Sequence, residues 1–120
     1  RHLLPRVEIF YAVKTNTNSK IIQACLANNT GFDVASATEI VNTMKLGAKA
    51  ESCIYASPVK KISNLLIAKQ YGIKKMTFDT EEELHKIAAH YPEAECVLRI
   101  ATDTTTAIYN LSEKYGAPME

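Results

Sequence analysis

"VEIFYAVKTNTNSKIIQACLANNTGFDVAS", residues 7–36, decides the fold. Its first eight residues, 7–14, read as a mostly buried strand that ends on Lys14. Polar Thr15-Asn16-Thr17-Asn18 follows. Residues 19–29 then place Ile21, Ile22, Cys25 and Leu26 at helical spacing. Residues 30–36 are strand-like again. A strand, a helix and a strand joined this closely predict two parallel strands with a right-handed crossover.

The same unit continues along the chain. Residues 38–47 predict a helix with Ile40, Val41 and Met44 on one face and Gly47 as its stop. Strands follow at 52–57, 74–79 and 94–101, separated by helices at 60–72 and 80–91. Gly72 closes one of these helices and Pro92 follows the other. Five strands thus alternate with four helices at a beat of roughly 21 to 24 residues. A doubly wound sheet and a (β/α)8 barrel both fit such alternation. The even beat, and the lack of a glycine-rich phosphate fingerprint after the first strand, favour the barrel. A closed barrel takes eight strands and about 250 residues. The prediction is therefore an α/β fold, a partial (β/α)8 barrel, with residues 1–120 a segment of a larger barrel domain. The tail "TTTAIYNLSEKYGAPME", 104–120, offers no sixth strand.

The bulk properties narrow the function. Fourteen basic residues against thirteen acidic give a net charge of +1, which makes no electrostatic case for nucleic acid or an anionic membrane. No apolar run approaches the roughly 20 residues that span a bilayer. No signal-peptide pattern opens the given residues. Cys25, Cys53 and Cys96 form no CxxC pair and no metal-ligand spacing. Buried free thiols of a reducing cytosol are the expectation, with no metal site.

In a barrel, functional groups sit where strands end and the following loops begin. Those ends carry Lys14, Asp33 with Ser36, Ser57, Asp79 and Arg99. Strand parity points Lys14 inward with Phe10 and Ala12, Asp33 with Gly31 and Ala35, and Arg99 with Val97 and Ala101. The small neighbours leave room for something other than protein. Each residue also has a plainer explanation. A lysine that closes a strand is ordinarily solvated or snorkels out of the core. "SATE", 36–39, is a capping box that accounts for Glu39 without chemistry. "TEEE", 80–83, is a second one. Asp79 suits a turn, and an Asp33–Arg99 ion pair would account for both charges. The three histidines lack partners at metal spacing.

"FYAVKTN", "TGFDVASATEI", "IYASPVKK", "MTFDTEEEL" and "VLRIATD", in this order and at these intervals, resemble the N-terminal half of the barrel in the ornithine decarboxylase family. That family belongs to the alanine-racemase-like enzymes that use pyridoxal phosphate. The resemblance runs from about Leu4 to Ala117. It implies that Lys14 is the barrel lysine holding the cofactor as an internal aldimine, since a partly desolvated amine is an available nucleophile. It likewise places the family's strand-end aspartate on Asp33, its following glutamate on Glu39 and its strand-end arginine on Arg99, all beside the cofactor. The implied activity converts ornithine to putrescine in polyamine biosynthesis. It is carried out by a cytoplasmic homodimer that takes a small basic amino acid and answers to an antizyme-type regulator. Two departures stand out: Thr15 replaces the family's cysteine, and Ser57-Pro58-Val59 replaces Asn-Pro-Cys. The family's phosphate loop, stacking histidine, substrate residues and C-terminal β-domain would all lie beyond Glu120. Two other readings remain. One is a non-catalytic relative like the antizyme inhibitors, against which the retention of Asp33 and Arg99 argues. The other is a sibling arginine, diaminopimelate or lysine decarboxylase.

Overall fold

The computed structural model describes residues 3–102 and 115–119. Five strands, β1 (Phe10–Ala12), β2 (Gly31–Val34), β3 (Cys53–Tyr55), β4 (Lys75–Phe78) and β5 (Glu95–Leu98), alternate with four helices. These are α1 (Ser19–Ala27), α2 (Ala37–Lys45), α3 (Ile62–Tyr71) and α4 (Glu81–His90). The helix starts are written locally. Asn18, Ser36 and Thr80 each accept a backbone N–H of the first turn on their side chains, from Lys20, Glu39 and Glu83. Two helix ends are written in glycine: Gly72 (φ +75°) caps α3, and Gly47 (φ +102°) follows the cap of α2.

The sheet is parallel throughout, in the order β1-β2-β3-β4-β5. Sequential order is that of a barrel section; a doubly wound sheet reverses direction part-way. The core lies between the sheet and the helices. Phe32, Val34, Cys53, Tyr55 and Met76 from the strands meet Ile22, Ile40, Leu65, Ala68 and Ile87 from the helices. The alternate residues line the other face. Phe10 pairs in register with Gly31, where a Cβ would come within 2.7 Å of the Phe10 ring. Glycine is therefore what lets that ring lie across the inner face.

All five strands are shorter than the sequence suggests. Only residues with a partner on the neighbouring strand count as strand, and β1 finds three, Phe10 to Ala12 opposite Gly31 to Asp33. The chain then turns through one 3-10 turn, Val13–Thr15, with Val13 buried beneath it. Lys14 accordingly stands just past the strand and is exposed. The tail from 104 to 114 lies outside the described residues. After it, Ala117 makes an isolated parallel bridge to Ile100, and no sixth strand forms among the described residues. All three cysteines are free, but only Cys53 is buried, which pushes its thiol up to about 11. Cys96 is exposed because it lies on the edge strand β5. Among the described residues, no helix is long and apolar enough to cross a membrane.

Candidate functional site

The carboxyl ends of the five strands form one open mouth. Lys14 and Asp33 come from adjacent strands there, and the Lys14 charge acts on the Asp33 carboxyl. Ala12 is the register partner of Asp33, so Lys14 sits on the adjacent chain two residues further on. Asp33 is half-buried on the inner face. Burial holds its carboxyl above the usual carboxylate range, the Lys14 charge pulls it back down, and the Glu39 charge pushes it up again. Ala12, Ala35 and Ala56 stand around the pair at the ends of β1, β2 and β3.

Glu39 does what a capping box asks of it, shifted by one residue. Its backbone N–H donates to Ser36 Oγ at 3.3 Å, as expected. Its Oε2 accepts the N–H of Ala35 at 2.8 Å instead of that of Ser36. Glu39 thereby fixes the end of β2 beside Asp33. Ser57 Oγ donates to Val59 O at 2.8 Å and shapes the loop after β3.

Arg99 follows β5. Its backbone N–H donates to Phe78 O at 2.8 Å, and its guanidinium lies 5.3 Å from the Tyr115 ring centroid. An Asp33–Arg99 ion pair does not form among the described residues. Two strands separate β2 from β5, and three strand spacings span about 14 Å at the usual separation. Asp79, at the end of β4, accepts the N–H of Gly116 on Oδ2 at 2.9 Å. Its Oδ1 is buried without a hydrogen-bond partner among the described residues.

Two residues escaped the sequence reading, which placed Lys60 in a helix and Glu83 in a cap. Lys60 is 2% exposed and Glu83 3%. The Lys60 Nζ donates to Ser57 O at 2.9 Å, to Pro58 O at 3.4 Å and to Thr77 O. It also lies 3.2 Å from Glu83 Oε1 and 5.6 Å from the centroid of the Tyr55 ring. Burial holds this amine below the ordinary lysine range, and Glu83 raises it part of the way back. Lys86 takes the other oxygen of Glu83. The network ties the loop after β3 to β4 and α4. No local signal marked the burial of Lys60, because its partners Thr77 and Glu83 lie 17 and 23 residues away. The helix begins at Ile62, with Lys61 as its N-cap and Lys60 before it.

A cavity of about 380 Å³ lies at the opposite end of the strands, lined by Ala50, Glu51, Gly72, Lys74, Lys75 and Glu95. None of the strand-end residues borders it. Among the described residues, no cluster of acidic, histidine and cysteine side chains suits a metal ion.

Residues 1–120 match the family described as pyridoxal-dependent decarboxylase, pyridoxal binding domain. The chain is 49% identical over 117 residues to an ornithine decarboxylase of Mus musculus, covering 98% of this chain and 25% of that protein. It is 44% identical over 117 residues to an antizyme inhibitor 2 of Xenopus laevis, with 98% and 24% covered. An arginine decarboxylase of Paramecium bursaria Chlorella virus superposes with a TM-score of 0.91 at 36% identity, over 98% of this chain and 32% of that one. The chain thus spans about a quarter of the length of the curated relatives it matches.

Proposed function

The chain belongs to the pyridoxal-dependent decarboxylases, in their pyridoxal-binding domain, and from that membership we propose that its parent protein decarboxylates ornithine to putrescine. The neighbouring placement of Lys14 and Asp33 at the barrel mouth supports this most directly. The residues fit pyridoxal phosphate. Lys14 offers an exposed amine for the aldehyde, Arg99 offers a cation for anionic groups, and the alanines at three strand ends leave space. Bound pyridoxal phosphate supplies the electron sink for breaking the bond to the carboxylate carbon. In this reading Lys14 Nζ holds the cofactor and assists product release. The carboxylate of Asp33 balances the charge of that amine. Glu39 keeps the end of β2 in place through the Ala35 N–H. The rest of the barrel and a C-terminal β-domain complete the site in a cytoplasmic homodimer that takes a small basic amino acid.

Higher identity to the ornithine enzyme than to the arginine enzyme supports ornithine over its siblings. The match to an antizyme inhibitor 2 favours a second reading, a regulator that has kept the fold without the chemistry and binds an antizyme-type partner. The test uses the full-length protein that carries this chain, loaded with pyridoxal phosphate. Borohydride reduction and peptide mapping should find the pyridoxyl adduct on Lys14. An adduct on Lys45 or Lys86 would sink the assignment. Carbon dioxide release should be fastest from ornithine when ornithine, lysine and arginine are compared. No release from any of the three, nor from diaminopimelate, by a folded protein selects the regulator.

A further inference from the structure

The segment 115–117 lies across the ends of β4 and β5, and three separate tethers hold it there. The N–H of Gly116 donates to Asp79 Oδ2 at 2.9 Å. The N–H of Ala117 donates to Arg99 O at 2.9 Å, and Ala117 O accepts from the N–H of Ala101 at 2.8 Å. Gly116 itself has φ +128°, and a Cβ on it would come within 2.6 Å of the Ala101 backbone nitrogen. Only glycine permits so close an approach. The segment is therefore fixed to Arg99 through that residue's own backbone. Its first residue, Tyr115, sets its ring 5.3 Å from the Arg99 guanidinium.

We propose that Tyr115 is a positioning residue that aims the guanidinium of Arg99 into the mouth, with Asp79 and Gly116 as its anchor. A planar guanidinium stacks on an aromatic face, and the stacking removes rotamer freedom that an arginine on an open rim would otherwise keep. The strand-end Asp33 is three strands away and does not hold Arg99. Asp79 is engaged with a backbone N–H. The aromatic face is thus the side-chain partner that the described residues give to Arg99. The inference rests on the reading of Arg99 as a group that meets the cofactor.

The experiment titrates the full-length apoprotein with pyridoxal phosphate, follows the cofactor's absorbance, and records melting temperature in parallel. Tyr115→Leu should weaken cofactor affinity about two- to fivefold, the size expected of a partly exposed cation–aromatic contact. Tyr115→Phe keeps the ring and should bind like the wild type. Tyr115 is 44% exposed, so neither change should alter melting appreciably. In an Arg99→Met background, Tyr115→Leu should cost nothing further. The proposal is overturned if Tyr115→Leu binds normally, if Tyr115→Phe loses as much, or if the loss persists without Arg99. If Arg99→Met alone binds the cofactor normally, the underlying reading of Arg99 is what has failed.

Discussion

Asp33 is a carboxyl group held half-buried, and its ionisation works against the fold. Burial raises its titration above the usual 3.8, and the Lys14 charge offsets this only in part. Between the unfolded and folded values, the folded chain keeps a proton that the unfolded chain has lost. The contribution of Asp33 to stability is therefore greatest in acid and falls as pH rises through that window. Asp33→Asn in the full-length apoprotein should consequently melt higher than the wild type at pH 7. The gap should close as the pH is lowered through the carboxylate range. An equal gap at both ends would refute the linkage. The same variant should lose at least about tenfold in turnover if the carboxylate balances the charge of Lys14, about 1.4 kcal/mol in barrier height. The role of Asp33 can be suspected from strand parity alone. Its raised titration cannot, because burial depends on which neighbours close over it.

Between elements, the Lys60–Glu83 pair joins the loop after β3 to α4. Removing one member of a buried pair leaves the other charge without compensation, typically at a cost of 3–5 kcal/mol. Lys86 still neutralises Glu83 here, so Lys60→Met should cost about 3 kcal/mol, read from the shift in denaturant midpoint. Lys60→Arg should not rescue it, because a planar fork cannot reach carbonyls arranged around a compact ammonium. Lys60→Met combined with Glu83→Leu should recover part of the loss. A loss below about 1 kcal/mol for Lys60→Met would class the pair with exposed salt bridges. The capping roles of Ser36 and Thr80 were legible because a cap is decided within four residues. The second role of Glu83 was hidden by the first: its backbone completes a cap while its side chain reaches Lys60, 23 residues away.

At the scale of the whole molecule, five strands make an arc in which β1 and β5 lack a further neighbouring strand among the described residues. Val97 and Leu98 are 42% and 52% exposed along one of them, and Ile9 is 55% exposed beside the other. Unpaired edges with apolar side chains recruit other chains. The 120-residue chain alone should sediment as oligomers or aggregate, and a monomer with a sharp cooperative melt would contradict this. Taken by itself, the sequence determined the parallel α/β alternation, the sequential barrel order, the capped starts of α2 and α4, and the strand ends where charged groups gather. These follow from periodicity, caps and beat, which are local properties of the chain. Only the tertiary structure decided that Lys14 stands beyond its strand, that Asp33 and Arg99 are too far apart to pair, that Lys60 is buried, and that Tyr115 meets Arg99. Each of these depends on strand register or on contacts between residues distant in sequence, and no local pattern encodes the distance between such groups.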